Sequence, residues 1–409
     1  MKIMQEKNSF KIIQEGITYP QGIKAAGVCC GIRFNRKDLA LIYSEKLAVA
    51  AAMYTTNKFK AAPLLVTENN LIKSQGKLQA VVINSGIANA CTGERGLKDA
   101  WEMANYVSEG LEIKDEYVAV ASTGKIGEFL PLKKIENGLK KAIPMLSISG
   151  GTEAAEAILT TDTKKKEVAI SFKVDEKEVK IGGIAKGSGM IQPNMATMLA
   201  FITSDISINQ ELLKYSLEQA VEKTFNMISV DGDTSTNDMV ILMANGLAGN
   251  PRIEEKDENY YKFYEALSYV AEYLAKCIAK DGEGASKMIE VKVQNAVSFG
   301  EAKKVAKAVI NSPLVKTAIF GKDPNWGRIL AAVGYSGAEI EPDKVDLYLK
   351  EKIVENGQPL AFSRQELHRY LESSDEIKII IDLKMGKDSV TAWGCDLTYD
   401  YVKINTKYN

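Results

Sequence analysis

IAKGSGMIQPNMATMLAFITSD, residues Ile184 to Asp205, joins a glycine-rich polar loop to an apolar run through one threonine. Lys186, Gly187, Ser188 and Gly189 give a backbone that can come close to a small ligand. Pro193 and Asn194 break regular pairing, and Met195 to Thr203 then reads as a buried strand, too short to span a membrane. Thr197 therefore stands where loop becomes core. On composition alone, a β-branched residue there is ordinary strand filler.

Histidine usage shifts that weighing. His368 is the one histidine in 409 residues, and it falls in a charged amphipathic helix pattern, Phe362 to Leu371, where a solvent-facing imidazole is commonplace. A hydroxyl nucleophile in this chain therefore lacks the Ser-His-Asp device. What remains as its base is a lysine or a freed α-amino group, and the latter titrates at about 8 without tuning. A threonine supplies its own amine only after the preceding peptide bond is cut. Ala196-Thr197, with a small residue on the departing side, is thus a candidate self-cleavage bond.

Composition excludes several classes. With 52 basic and 53 acidic residues the chain is nearly neutral, and no basic stripe argues for nucleic acid. Its length exceeds one compact core and suggests two or three lobes. Cys29, Cys30, Cys91, Cys277 and Cys395 are odd in number, lack metal-ligand spacing and include a vicinal pair, which reads as reduced thiols in a cytoplasmic setting. Met1 to Ile13 does not read as a secretion signal, and the richest apolar run, Leu47 to Tyr54, falls short of a membrane helix. VDGDTSTND, Val230 to Asp238, imitates a calcium loop. Its glycine comes second rather than sixth and Leu242 stands where a bidentate glutamate belongs, so no metal is expected. Lys186-Gly187-Ser188 has the wrong order for a phosphate loop.

Periodicity outlines the elements. Strands are expected at Asp38 to Tyr43, Leu78 to Asn84 and Tyr117 to Ala121, the last running into a small-residue loop, Ser122 to Gly127, with unpaired N–H groups. A helix from Gly96 to Leu111 should bury Leu97, Ala100, Trp101, Ala104, Val107 and Leu111, and further helices should begin near Pro131 and Thr152. Thr160 to Thr163 reads as a capping turn and Lys164 to Lys166 as a solvated loop. Lys166 to Val174 and Glu178 to Ala185 form a hairpin. Ser207 to Gln210 has capping-box spacing for a helix reaching about Met227, Tyr260 to Ala279 is a long helix, and Asp323-Pro324 should open another. Val345 to Leu349 and Glu376 to Leu383 alternate as strands, with a last strand through Trp393 and Tyr401.

The central stretch, with STGKIG at Ser122 to Gly127, TTDT at Thr160 to Thr163, VDGDTSTND, DGEGASK at Asp281 to Lys287 and GKDPNWGRI at Gly321 to Ile329, resembles the ornithine acetyltransferase family of arginine biosynthesis, also called glutamate N-acetyltransferases. The likeness runs from GITYPQGIKAAGV to CDLTYDYVKIN. It implies an α/β fold of mixed sheets sandwiched by helices and processed into chains of residues 1–196 and 197–409 that assemble as α2β2. It further implies ping-pong acetyl transfer from N2-acetylornithine to L-glutamate through Thr197, without a cofactor; acetyl-CoA stays open as a further donor. Thr123 and Gly124 correspond to the family's oxyanion pair, and Thr160, Lys186, Thr197, Glu283 and Asn405 to its substrate contacts. By charge, Lys186 suits the substrate α-carboxylate and Glu283 the δ-amino group. Ile87 and Lys125 depart from the family pattern. So does the end at Asn409, one residue short of a usual serine or threonine contact: either that contact is missing, or Asn409 or the terminal carboxylate substitutes for it. A self-processed aminopeptidase or amidohydrolase is the alternative reading.

Overall fold

The structure, a computed structural model, describes residues 3–7, 10–192 and 198–406. The chain divides into two compact units, the first comprising Met1–Gly187, Pro193–Glu222 and Thr234–Leu274, the second Ser188–Gln192, Lys223–Asp233 and Ala275–Asn409.

In the first unit, ten strands form one sheet: β1 (Ile3–Lys7), β2 (Phe10–Ile13), β3 (Ile23–Val28), β4 (Leu39–Tyr54), β5 (Lys77–Ile87), β6 (Val118–Lys125), β7 (Lys166–Val174), β8 (Lys177–Lys186), β9 (Leu199–Ser204) and β10 (Met239–Ala244). Their order is β1-β2-β7-β8-β9-β10-β4-β5-β6, with β3 also on β4. The sheet is mixed: β9 and β10 are parallel, as are β5 and β6, while β8 with β9 and β10 with β4 are antiparallel.

The period of two in the sequence sorts side chains to the two faces. Leu39, Leu41, Ala80, Val82, Val118 and Val120 pack beneath helices Ala62–Lys73, Gly93–Leu111 and Leu132–Ala142. Ala40, Ile42, Val81, Ile83, Ala119 and Ala121 join Phe201, Met239, Ile241 and helix Gly151–Ala157 on the other. Near-continuous burial along β9 and β10 follows from their central position, covered on both sides.

Several expectations are corrected. Ser122 to Lys125 is not a loop: β6 runs on through Lys125 and pairs in parallel with Asn84 to Ile87, because β5 is longer than its apolar alternation. On helix Gly93–Leu111 the buried stripe is rotated, taking in Asp99, Met103 and Ser108 and leaving Leu97, Trp101 and Leu111 half-buried. Ser207 is not the helix cap; its N–H donates to Asn250, and the helix Gln210–Lys223 starts from Asn209, whose Oδ1 accepts from Glu211 N at 2.8 Å.

The second unit carries six strands: β11 (Met288–Ala296), β12 (Asp346–Leu349), β13 (Glu351–Glu355), β14 (Gln358–Pro359), β15 (Glu376–Asp382) and β16 (Asp388–Cys395), in the order β14-β13-β12-β15-β11-β16. Helix Phe299–Asn311, capped by Ser298, buries Ala302, Val305, Ala306, Val309 and Ile310. The last strand ends at Cys395. Beyond it Thr398 caps a helix, Tyr399–Asn405, by accepting from Asp400 N at 3.1 Å, which turns the chain out of the sheet before Tyr401. Asp323 is not an N-cap either: helix Trp326–Gly334 begins after Asn325, and the Asp323 carboxylate instead binds the side chains of Asn325 and Arg364. His368 is exposed on helix Arg364–Ser373.

The five cysteines are free thiols. Among the described residues no helix is long and apolar enough to cross a membrane, and no group of three or more His, Cys, Asp or Glu residues is arranged to hold a metal.

Candidate active site

In the first unit the tips of β6 and β8 meet the turn after helix Gly151–Ala157. Lys186, the last residue of β8, is buried, and its Nζ donates to Thr123 Oγ1 at 3.3 Å. Across the adjacent pairing Lys186 lies opposite Leu199, so β8 carries this ammonium to the strand that begins two residues after Thr197. Ala196, Thr197 and Asn409 themselves lie outside the described residues.

Behind Lys186 stands Asp162. Its Oδ1 accepts from Lys166 Nζ and from Gly187 N, both at 2.7 Å, and its Oδ2 accepts from Thr160 N at 3.0 Å. Burial acts to raise this carboxyl, but the Lys186 and Lys166 ammoniums and the bonds from Lys166 and Gly187 outweigh it and hold Asp162 far below the usual carboxylate range. Lys166 is therefore no part of a solvated loop: its side chain is 1% exposed, because the carboxylate four residues earlier neutralises it. Asp162 thus ties together the Thr160 turn, the β7 start and the β8 end. Arg33 adds to this, donating to the Leu159 carbonyl and, at 2.9 Å, to the Thr160 carbonyl.

The Thr123-Gly124 segment is held from three sides. Gly124 has φ of +132°, and a Cβ there would fall 2.2 Å from the Gly86 carbonyl carbon, so only glycine lets β6 approach β5 here. A register irregularity at Gly86 and Ile87 accompanies that approach. Asn237 Nδ2 donates to the Ala88 and Ser122 carbonyls at 2.6 and 2.9 Å, and Ser122 Oγ donates to Asn84 Oδ1 at 2.6 Å. Ile87, the residue that departs from the family pattern, enters this network through its carbonyl, which accepts from Asn84 Nδ2 at 2.9 Å.

In the second unit Glu283 is buried, and its Oε2 accepts from Asn405 Nδ2 at 2.8 Å. Its backbone N–H donates to the Ser188 carbonyl at 3.0 Å, and a Cβ on Gly189 would sit 2.4 Å from the Glu283 carboxyl. Asp231, from the calcium-like motif, accepts from Met190 N and Ile191 N at 2.6 and 2.8 Å. That motif therefore anchors the glycine-rich segment through ordinary turn chemistry.

The structure so brings Thr123, Gly124, Thr160 and Lys186 into one cluster within the first unit, and Glu283 with Asn405 within the second. Sequence reading missed Asp162 as an anchor and passed over Lys166 and Asn237. The one available signal was the Asp162 to Lys166 spacing of four, easily taken for turn composition.

Residues 24–409 match the model of the ArgJ family. The arginine biosynthesis bifunctional protein ArgJ of Caldanaerobacter subterraneus subsp. tengcongensis is 53% identical over 403 residues, covering 97% of this chain and 99% of that protein. That of Geobacillus stearothermophilus is 48% identical over 410 residues, covering 100% of both. Among solved structures, the arginine biosynthesis bifunctional protein argJ from Bacillus halodurans is 48% identical with a TM-score of 0.50, covering 51% of this chain and 99% of that one. The β6 tip with its obligatory glycine and the buried lysine of β8 lie inside this match, and the chain belongs to the ArgJ family of arginine-biosynthesis proteins.

Proposed function

We propose that this chain, a glutamate N-acetyltransferase, carries the acetyl group on Thr197 after self-cleavage of the Ala196-Thr197 bond. Thr197 Oγ attacks the acetyl carbon of N2-acetylornithine while the freed Thr197 amine takes the Oγ proton. The C–N bond breaks, the proton passes to the ornithine nitrogen, and an acetyl ester remains. The glutamate amine then attacks that ester and regenerates the threonine. An amide is exchanged for an amide, so no energy source or cofactor enters. Exclusion of water decides transfer over hydrolysis.

The observation that carries this reading is the Lys186 cluster: a buried ammonium beside Thr123, anchored through Asp162, on the strand paired with the one that Thr197 precedes. Thr123 and Gly124 supply the oxyanion donors, and losing one such donor costs on the order of a hundredfold or more in rate. By charge complementarity Lys186 suits the substrate α-carboxylate and Glu283 the δ-amino group. On this reading the fragments pair as α2β2.

Mass spectrometry of denatured, active protein should show two fragments, with the label from acetyl-labelled acetylornithine on Thr197. A single intact chain, or label elsewhere, refutes it. Ornithine release indifferent to glutamate would instead establish a hydrolase, and competition between acetyl-CoA and acetylornithine settles the donor.

A further inference from the structure

Thr234 to Asn237 form the second half of the calcium-like motif, and within the first unit their backbone is bonded down residue by residue. The Thr234 carbonyl accepts from Asn57 Nδ2 at 3.0 Å, the Ser235 carbonyl from Thr55 Oγ1 at 2.8 Å and the Thr236 carbonyl from Ala61 N at 2.9 Å. That backbone delivers the Asn237 side chain to the ends of β5 and β6. The residue is 5% exposed, and both Nδ2 protons are used there, on the carbonyls of Ala88 and Ser122. Its Oδ1 accepts from Thr236 Oγ1 at 2.6 Å, which decides which end of the amide faces the two carbonyls.

The Ser122 carbonyl and the Thr123 N–H belong to one planar trans peptide, so a bond that fixes the first also fixes the direction of the second. On the other strand, Ala88 accepts from Asn237 with its carbonyl and donates with its N–H to the Lys125 carbonyl at 2.8 Å. Asn237 and Ala88 therefore close a ring of bonds from Ser122 to Lys125, and Thr123 and Gly124 lie on the stretch it encloses. Pairing with β5 does not set this stretch by itself, because the register is irregular at Gly86 and Ile87 and Gly124 has the backbone freedom of its positive φ.

We propose that Asn237 is a positioning residue for acetyl transfer, holding the Thr123-Gly124 segment in the orientation that meets the oxygen of the acetyl group. The proposal rests on the reading that Thr123 and Gly124 supply the oxyanion donors. In each half of the transfer the acetyl carbon becomes tetrahedral and its oxygen gains negative charge, which returns to the carbonyl as the leaving group departs. Asn237 acts through Ser122 and Ala88 rather than on that oxygen. Misplacing such a donor by about 1 Å costs on the order of a hundredfold in rate. The charge exists only on the way through the transition state, so the loss falls on kcat and not on KM.

The test compares wild type with Asn237→Leu, Thr236→Val, Thr236→Ser and Gly124→Ala, by steady-state kinetics with acetylornithine and glutamate and by thermal unfolding. Asn237→Leu should lower kcat on the order of a hundredfold, with KM for both substrates within about threefold of wild type. Thr236→Val keeps the amide but loses the hydroxyl that orients it, and should lower kcat about two- to tenfold, while Thr236→Ser restores it. Wild-type kcat in Asn237→Leu, or a loss that lies in KM, overturns the proposal. Should Asn237→Leu fail to fold, the Thr236 pair decides: unchanged kcat in Thr236→Val, or no recovery in Thr236→Ser, overturns it equally. Gly124→Ala at wild-type kcat refutes the oxyanion reading itself, whereas an inactive Gly124→Ala beside a fully active Asn237→Leu refutes only the positioning role.

Discussion

Asp162→Asn tests the anchor of the site most directly. The substitution keeps the shape of a side chain that is 0% exposed and removes its charge, leaving the Lys166 and Lys186 ammoniums buried against a neutral amide. The amide nitrogen must also face a donor, since Lys166 Nζ and Gly187 N both address Oδ1 and Thr160 N addresses Oδ2. Removing one partner of such a buried pair costs about 3–5 kcal/mol, with no discount for solvent screening at this depth. For a unit of this size each kcal/mol moves the melting point by about 2–4 °C, so the first unit should melt roughly 6–20 °C lower. Differential scanning calorimetry gives the shift, and amide exchange along Lys166–Val174 and Lys177–Lys186 assigns it to this unit. Adding Lys166→Met should recover a good part of the loss, because removing both members of a buried pair leaves no orphan charge. A double variant whose loss equals the sum of the two single losses refutes the coupling of Asp162 to Lys166. The specificity constant for acetylornithine should also fall at least tenfold in Asp162→Asn, by roughly 1.4 kcal/mol or more.

Gly124→Ala should abolish transfer and disturb the β5–β6 edge, since the new methyl would overlap the Gly86 carbonyl; exchange along Val118–Lys125 reads this, and a fully active variant removes the close-approach argument. Glu283→Gln keeps a partner for Asn405 but removes the charge, and should raise KM for acetylornithine about tenfold through loss of a charge-assisted contact while changing KM for glutamate less; equal effects on both deny Glu283 its δ-amino role. The two buried carboxyls of the first unit carry opposite pH signs. Asp162, depressed in the folded chain, stabilises above its unfolded value of about 3.9 and loses that contribution as the pH falls below it. Asp238, raised in the folded chain, keeps a proton that the unfolded chain gives up above about 3.9, so its presence lowers stability as the pH climbs from there. In the Thr197→Ala background, the melting-point gap between Asp238→Leu and its parent should therefore widen from pH 4 upward, and a gap independent of pH shows Asp238 to be ionised.

Much of this was present in the linear chain. The Lys166–Val174 and Lys177–Lys186 hairpin follows from alternation around a turn whose Asp175 adopts φ of +50°, and Glu258–Lys280 follows from its apolar stripe. Residue types and their local spacing sufficed for these elements, and the scarcity of histidine with the threonine at the loop-to-core junction motivates the proposed chemistry, because nucleophile activation admits few devices.

What only tertiary structure decided was which polar groups are buried and against what. Three consecutive lysines look solvated in any window, and Lys166 becomes a core residue only because Asp162 reaches it from the turn before β7. Ser122 to Lys125 looks like a loop until β5, some forty residues earlier in sequence, supplies the partner strand. Asp238 sits in a motif that spacing likens to a metal loop, yet its carboxyl oxygens end buried without a hydrogen-bond partner. Burial and long-range pairing are properties of the packed sheet. No local pattern encodes them, because the electrostatic cost of a charge depends on the atoms that surround it and not on its neighbours in the chain.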